Sequence, residues 1–279
     1  MSGPRIQPCV LTIAGSDSGG NAGVQADLRA FHGYALHGCT VFVALTAQNP
    51  RGVRSVHMVP PDFIADQLDA VFEMYNVKAI KTGMLGTAEA IEVVARKLAA
   101  YPRVKKVVDP VMVATSGAKL LADDAIDVLK ARLLPQATLI TPNLPEAEVL
   151  VGHPLEDAAA VRAAAKELAR RFGCAVLVKG GHAVERAAMV RGPKVEEAVD
   201  VLFDGRRFHV YTRPVIPHPV STHGTGCTRA AALAAELARG ASLAKAVDGA
   251  KNFVYEAIRL SYYIGQQCGV LGLPQQGGI

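Results

Sequence analysis

The chain has 279 residues, of which 50% are hydrophobic, 20% are charged and 5% are aromatic, and these proportions are typical of an α/β protein with a substantial core. The formal net charge is +5, but the Lys and Arg residues are not concentrated in a block. Few aromatic residues are present to stack on bases, so the composition argues against a nucleic-acid-binding protein. The first residues lack a charged segment followed by an apolar one, and no apolar run approaches the ~18 residues of a membrane span, so we expect a protein that is neither secreted nor embedded in a membrane.

Strand-length apolar runs and helix-length amphipathic segments alternate through the first two thirds of the chain. The runs predict strands at residues 10–14, 40–44, 79–82, 106–109, 137–141 and 175–179. The segments predict helices at residues 61–75, 87–100, 123–134 and 157–172. The first opens with Pro-Pro-Asp, Thr87 can cap the second, and Asp157 begins the fourth in the same way. Apolar strands separated by helices indicate a mainly parallel sheet that is covered on both faces, with right-handed crossovers.

The alternation stops after residue 183. Residues 199–205 and 207–212 predict an antiparallel hairpin that turns at Asp204-Gly205, at the edge of the same sheet. Residues 184–197, just before it, are expected to form a mobile loop. The Gly-, Gln- and Pro-rich tail at 271–279 is expected to fray. No linker divides the chain, so we predict a single domain from residue 1 to residue 279.

The first motif is the loop Gly15-Ser-Asp-Ser-Gly-Gly-Asn-Ala-Gly23, which follows the first strand. A phosphate-binding Walker A loop would need Lys and Ser or Thr after its second glycine, whereas Asn21 and Ala22 stand here, and the GxGxxG spacing is absent as well. Open α/β sheets bind ligands at the carboxyl ends of their strands. The loop is therefore interpreted as a polar loop beside a substrate, with a plain strand-to-helix connection as the alternative.

Polar residues follow four further strands. The segments are Lys81-Thr-Gly-Met-Leu85, Asp109-Pro-Val-Met112, Thr141-Pro-Asn-Leu-Pro-Glu-Ala147 and Lys179-Gly-Gly-His182. Because the carboxyl ends of parallel strands share one edge of a sheet, these groups are expected to converge. Asp109 and Glu146 are candidate oxygen ligands for a water-rich Mg²⁺ ion, and Lys179 is a candidate to neutralise nucleotide phosphates.

The segment Ser221-Thr-His-Gly-Thr-Gly-Cys-Thr228 leads directly into an Ala-rich helix. Glycines at a helix start let backbone N–H groups approach an anion, although they can also serve only to begin the helix. A thiol at such a position can have a lowered pKa, so Cys227 is a candidate base or hydrogen-bond partner for an attacking hydroxyl. The five cysteines are odd in number and form no CxxC pair, which disfavours disulfides and favours a cytoplasmic location.

Taken together, these motifs closely resemble those of the hydroxymethylpyrimidine and phosphomethylpyrimidine kinases of thiamine biosynthesis, in the ribokinase-like superfamily. The resemblance runs from Leu11 to about Leu271 and is specific for the pyrimidine and pyridoxal kinase branch, since sugar kinases typically have Asp at the position of Cys227. It rests on the segments already quoted and on Ala22-Gly-Val-Gln-Ala-Asp-Leu28 and Ala44-Leu-Thr-Ala-Gln-Asn49.

The resemblance implies a ribokinase-like three-layer α/β/α fold with a central, mainly parallel sheet and a small antiparallel edge hairpin. It implies ATP- and Mg²⁺-dependent phosphorylation of 4-amino-5-hydroxymethyl-2-methylpyrimidine to the monophosphate and then to the diphosphate. It also suggests a homodimer. Two features depart from the family pattern. Asn21 stands where Gly or Ala is expected, and residues 184–197 match no known segment, so they represent either a lid or an insertion.

The resemblance also assigns roles to individual residues. Gln48 would hold the pyrimidine, which agrees with the ability of its amide to accept from an exocyclic amine and donate to a ring nitrogen. The same pocket would be lined by Gly15, Ala22, Asp27, Met84 and Val111. ATP and Mg²⁺ would be handled by Asp109, Asn143, Glu146, Lys179 and Thr225. The anion hole and the partner of the hydroxyl would come from Gly224, Thr225, Gly226 and Cys227.

Three alternatives remain at this point. A pyridoxal kinase of the same branch shares the Cys227 motif, although Gln48 favours the aminopyrimidine. A catalytically silent pyrimidine-binding or regulatory protein is disfavoured by Asp109, Glu146, Lys179 and Cys227. A Rossmann oxidoreductase is disfavoured by the missing GxGxxG.

Overall fold

The computed structural model describes residues 7–112, 121–180, 196–265 and 268–274. Of the segment at 184–197, only residues 196 and 197 belong to this part of the chain, so the expected mobile loop lies outside the described residues. The expected frayed tail lies outside them from residue 275 onward.

Eleven strands form two sheets in the described part of the chain. Their bounds are β1 Cys9–Asp17, β2 His37–Asn49, β3 Gly52–Met58, β4 Val77–Thr82, β5 Lys105–Val108, β6 Leu139–Ile140, β7 Ala175–Val178, β8 Glu197–Phe203, β9 Phe208–Pro214, β10 Tyr262–Tyr263 and β11 Gly269–Val270. The main sheet has the order β3-β2-β1-β4-β5-β6-β7-β8-β9. The six central strands, in the sheet order β2-β1-β4-β5-β6-β7, pair in parallel. Strand β3 at one edge and the β8–β9 hairpin at the other pair antiparallel.

The helices lie on both faces of this sheet. Their bounds are α1 Gly23–Gly33, α2 Pro61–Met74, α3 Ala88–Leu98, α4 Asp123–Val128, α5 Leu144–Val151, α6 Ala158–Phe172, α7 Thr225–Ala238 and α8 Leu243–Arg259. One buried cluster joins the sheet to α2 through α6, and a second joins it to α1, α7 and α8. Neighbouring residues of β1, Val10 and Leu11, point into different clusters, so the strand is apolar on both sides. The predicted three-layer α/β/α fold is confirmed.

Several local predictions are also confirmed. The Thr87 hydroxyl accepts a hydrogen bond from the N–H of Ala90 and caps α3. Pro61 occupies the first turn of α2. The hairpin turns at Asp204 and Gly205, where Gly205 has a φ of +94°. These features depend on residues close together in sequence, which explains why the sequence predicts them.

Other elements differ from the prediction. The helix expected over residues 123–134 is α-helical only to Val128, continues as a π turn (Leu129–Leu133) and ends in a 3₁₀ turn (Leu134–Gln136) that contains Pro135, which has no N–H to donate. The strand expected over residues 137–141 is limited to β6. The sequence prediction omitted β3, β10, β11, α1, α5 and α8. Among the described helices, none combines the length and apolar character that a membrane span requires.

Candidate active site

The loop after β1 is shaped by Asp17. Its carboxylate accepts hydrogen bonds from the N–H groups of Gly19, Asn21 and Ala22 at 2.8, 2.9 and 2.8 Å. Gly20 makes the turn with a φ of +77°, whereas Asn21 is not among the residues with positive φ. Asn21 therefore fits the loop without backbone strain, even though the family pattern has a smaller residue there.

The loop that begins α7 touches this first loop. Gly224 has a φ of +85°, and a Cβ atom added to it would lie 2.0 Å from the carbonyl oxygen of Asn21. A Cβ atom added to Gly226 would meet no described atom within 4 Å. The first turn of α7 therefore faces open space beside the loop of Asp17. Free N–H groups at a helix start, next to such a space, suit a bound anion.

A buried ion pair lies beneath these loops. The Lys81 ammonium is 2.7 Å from Asp27 Oδ2, and the Thr12 hydroxyl donates to the same oxygen. Both charged side chains are fully buried. Burial raises the pKa of Asp27, and Lys81 and Thr12 only partly oppose this effect. Burial also lowers the pKa of Lys81, but the nearby Asp27, Cys227 and Asp109 raise it above its ordinary value.

This environment changes the expected position of Asp27. The residue was expected to line the substrate pocket, whereas its side chain is enclosed by Lys81 and Thr12. Its second oxygen, Oδ1, is buried and has no hydrogen-bond partner among the described residues. An acceptor without a partner is costly in a protein interior, and no open space reaches Oδ1 in this structure, because Asp27 is fully buried.

Cys227 lies in the first turn of α7 and is half-buried. Burial raises the pKa of its thiol; Lys81 and the N–H of Gly23 lower it, while Asp27 and Asp109 raise it further, and the net shift is upward. The lowered pKa expected from the helix start is therefore wrong for this structure. A protonated thiol is suited to hydrogen bonding with a hydroxyl rather than to acting as a strong base.

A second ion pair lies at the ends of β5 and β7. The Lys179 ammonium and the Thr141 hydroxyl both donate to Asp109 Oδ1, at 2.7 and 2.8 Å. Asp109 and Lys179 are 3% and 8% exposed. The predicted convergence of strand-end groups is thus observed for these three residues.

Glu146 lies beside this pair in α5. Its Oε2 accepts from the N–H of Asn143 at 2.8 Å, and Asn143 Oδ1 accepts from the N–H of Glu146, so the two residues form a capping box. Burial raises the pKa of Glu146 to about 7; Asp109 adds to the shift, while Lys179 and the backbone N–H groups of Asn143 and Met112 oppose it. The Asn143 side chain is therefore used in the cap.

These carboxylates define what kind of metal ion the site can take. The described residues contain no cluster of three or more His, Cys, Asp or Glu that could hold a metal ion. Asp109 and Glu146 both interact with Lys179. Two carboxylates suit a Mg²⁺ ion that takes its remaining ligands from water and a nucleotide, so this pair fits such an ion.

The other residues expected to line the substrate pocket have the following surroundings. The backbone N–H of Gln48 donates to Ser18 Oγ at 2.8 Å, and the Thr46 hydroxyl donates to the side-chain oxygen Oε1 of Gln48 at 3.3 Å. A Cβ atom added to Gly15 would lie 2.8 Å from Met84 Cε. Ala22 begins α1. Val111 donates its N–H to the carbonyl of Asp109, and its side chain is half-buried.

Sequence reasoning missed two functional features. Thr12 lies in the apolar run of β1, and its role depends on Asp27 from α1. Lys81 was noted as part of a strand-end motif but was given no role. The available signal was a lysine within a strand that otherwise reads as buried, since a buried lysine needs an acidic partner.

Comparisons with known proteins agree on one family. The model of the phosphomethylpyrimidine kinase family matches residues 17–272. The chain is 49% identical over 263 residues to a bifunctional thiamine biosynthesis protein of Geobacter sulfurreducens, covering 94% of this chain and 51% of that protein. It is 44% identical over 255 residues to the hydroxymethylpyrimidine/phosphomethylpyrimidine kinase of Bacillus subtilis, covering 91% of this chain and 90% of that enzyme. The chain thus spans about half the length of the bifunctional relative.

A solved structure is also similar. The pyridoxal kinase of Staphylococcus aureus in complex with AMP-PCP and pyridoxal has a TM-score of 0.81 and 33% identity, covering 95% of this chain and 93% of that one.

Proposed function

The chain belongs to the phosphomethylpyrimidine kinase family, and on that premise we propose that it phosphorylates 4-amino-5-hydroxymethyl-2-methylpyrimidine with ATP, and then the resulting monophosphate, in thiamine biosynthesis. The observation that carries the proposal is the contact between the loop of Asp17 and the start of α7, where Gly224 lies against Asn21. A pyrimidine held by Gln48 of the neighbouring strand β2 would then lie close to the helix start that we propose binds the transferring phosphate.

The pyrimidine would lie on the side of Gln48. Its amide can pair with the exocyclic amine and a ring nitrogen. Gly15 lets the Met84 side chain pack against the loop there, since a Cβ atom at position 15 would lie 2.8 Å from Met84 Cε. The pocket would be completed by Ala22 and Val111.

The phosphates would lie between α7 and the Lys179–Asp109 pair. Phosphoryl transfer depends mainly on positioning and on neutralising charge. The N–H groups of residues 224–227 would hold the transferring phosphate, and Lys179, Thr225 and Asn143 would contact ATP. Asp109 and Glu146 would hold Mg²⁺, which supplies positive charge to the nucleotide phosphates when bound.

Cys227 would contact the hydroxymethyl oxygen. Because its thiol pKa is raised by burial, it would orient the hydroxyl through a hydrogen bond. The monophosphate in the second step brings its own nucleophilic oxygen and has less need of this contact.

The experiment is an ATP-consumption assay with the pyrimidine, its monophosphate and pyridoxal in parallel. We expect turnover with both pyrimidines and lower kcat/KM with pyridoxal. Turnover with pyridoxal alone would support the pyridoxal kinase alternative, which the similarity to the S. aureus enzyme keeps relevant. No turnover with any of the three would support a silent binding protein.

Two properties of the whole protein belong to the same proposal. A cytoplasmic location is supported by the sequence pattern of the five cysteines, which are odd in number and form no CxxC pair. A homodimer is supported by the family resemblance and by the exposed apolar side chains of the β2–β3 hairpin.

A further inference from the structure

A buried charge cluster next to the candidate site has no role in the proposed chemistry. It consists of Asp200 in β8, Arg229 in α7 and Lys251 in α8, and is called the Asp200 cluster below. Asp200 Oδ2 accepts from Arg229 Nη1 at 2.8 Å and from Lys251 Nζ at 2.7 Å, and Oδ1 accepts from the N–H of Gly180 at 2.9 Å. The side chains of Asp200 and Lys251 are 1% and 3% exposed. One carboxylate therefore joins three elements and the end of β7.

Two of these three connections lead to parts of the site. Gly180 directly follows Lys179, whose ammonium pairs with Asp109. A Cβ atom at Gly180 would lie 1.7 Å from the carbonyl oxygen of Val199, so this turn is pressed against the backbone of β8. Arg229 lies one helical turn after Thr225, the first residue of α7. Asp200 thus ties the backbone that presents Lys179 to the helix that presents the anion loop.

The charges of the cluster do not balance. Among the described residues, two cations share one carboxylate oxygen, so these three side chains carry a formal surplus of one positive charge, which is smaller to the extent that burial lowers the pKa of Lys251. Burial of uncompensated charge is costly, so such an arrangement is a poor way to stabilise a core. The surplus is felt at the site because Arg229 acts electrostatically on Lys179. An anionic ligand bound between Lys179 and α7 would offset it.

We propose that Asp200, Arg229 and Lys251 are positioning residues that hold Lys179 and the anion loop at residues 224–227 in register for the phosphates of a nucleotide. This inference rests on the proposed function for the identity of the ligand, ATP. It assigns to the cluster the geometry of the nucleotide side and no contact with the pyrimidine.

The main test compares Asp200→Asn with Asp204→Asn. Asp204 lies at the end of the same strand and its carboxylate also accepts backbone hydrogen bonds, but it has no link to the site, so it is a matched control. For Asp200→Asn we expect the KM for ATP to rise, or kcat to fall, by about tenfold, with the KM for the pyrimidine changed less than about twofold. Asp204→Asn should lose stability without this split. Unchanged ATP kinetics in folded Asp200→Asn, or equal rises of both KM values, would overturn the proposal.

A second variant separates geometry from charge. Asp200→Asn adds one positive charge to the cluster, whereas Lys251→Met removes one and leaves the Asp200–Arg229 pair neutral. If the cluster acts by positioning, both variants bind ATP more weakly. If it acts only through its electric field, Asp200→Asn binds ATP more tightly and Lys251→Met binds it more weakly, and that result would refute positioning. The affinities are measured by calorimetry with ATP alone, so the test does not need turnover. Failure of the kinase assay in the wild type would contradict the proposed function, whereas equal ATP affinities of wild type and variants would contradict this inference. If Asp200→Asn does not fold, Lys251→Arg takes its place, because it keeps the charge but changes the geometry: positioning predicts weaker ATP binding, whereas a pure field effect predicts unchanged binding.

Discussion

Two glycines of the anion loop have different surroundings, and they separate catalytic from structural effects at the scale of single residues. Gly226 has open space around it, so Gly226→Ala should keep the fold and gain up to about 1 kcal/mol of helix stability. The new methyl group would occupy the space proposed for the phosphate, so kcat should fall. Gly224→Ala should lose both stability and activity, because its φ of +85° and the Asn21 carbonyl exclude a side chain. Thermal unfolding and ATP turnover of both variants check this, and full activity of Gly226→Ala would place the phosphate elsewhere.

A second residue-scale prediction concerns Cys227. If Cys227 contacts the hydroxymethyl group as proposed, Cys227→Ala would remove that hydrogen-bond partner, whereas the monophosphate acceptor would not depend on it. The first phosphorylation should therefore slow more than the second. Single-turnover rates of the two steps measure this difference, with Cys174→Ala, a buried cysteine before β7, as the control. Equal losses in both steps would show that Cys227 has only a structural role.

At this scale the sequence predicts which residues belong to the candidate site better than it predicts what surrounds each of them. Asp109, Thr141 and Lys179 were expected to meet because parallel strands end at one edge, and they do. The Lys81–Asp27 pair joins β4 to α1, and that choice of partner depends on how the helix packs. The direction of the Cys227 pKa depends on burial, which no local pattern encodes.

At the scale of elements, the β8–β9 hairpin offers a test of its turn. Asp204 Oδ1 accepts from the N–H groups of Arg206 and Arg207, both at 2.8 Å, and Oδ2 lies 2.8 Å from His209 Nε2. Burial raises the pKa of Asp204, but the N–H of Arg207, the His209 side chain and the N–H of Arg206 outweigh it and lower the pKa to about 2. Asp204→Ala should therefore cost about 1 kcal/mol at neutral pH.

The sign of the pH dependence follows from the lowered pKa. The stabilisation by Asp204 is complete above the unfolded pKa of about 4 and is lost as the pH falls through about 2. Urea unfolding of wild type and Asp204→Ala at several pH values should give free-energy curves that converge in acid. A difference that stays constant down to the acid limit would mean that the carboxylate is not its source.

Elements were predictable where their signals are local. The caps of α3 and α6 and the Asp204-Gly205 turn depend on residues within three positions of each other. Strand β3 was missed because it is exposed along nearly its whole length, so its side chains show no alternation of apolar and polar residues. Helix α8 was not predicted, although Ala246, Ala250, Phe253 and Ala257 recur at helical spacing and form its buried face.

At the scale of the whole molecule, the layers were predictable but the strand order was not. Alternating strands and helices favour a covered parallel sheet. Sequence does not tell that β1 lies between β2 and β4, because either neighbour satisfies right-handed crossovers. The single domain from 1 to 279 stays a prediction, since the first six residues and the last five lie outside the described chain.

The last prediction concerns assembly and the edge of the sheet. The hairpin of β2 and β3 exposes Leu45, Val53 and Val56 at 48%, 49% and 52%. A cavity of about 610 Å³ between residues 49–54 of this hairpin and the C-terminal segment is also lined by Ile264. Exposed apolar groups on an edge strand favour association, so we expect these residues to contact a second copy of the chain.

Replacing Val56 by Lys puts a charge into this contact without disturbing buried side chains. Val56→Lys should therefore be a folded monomer where the wild type is a dimer, as measured by light scattering during size-exclusion chromatography. Val149→Lys, which changes an exposed valine on α5, is the matched control and should remain dimeric. A monomeric wild type would contradict the homodimer itself, whereas a dimeric Val56→Lys would keep the dimer and move its interface away from the hairpin.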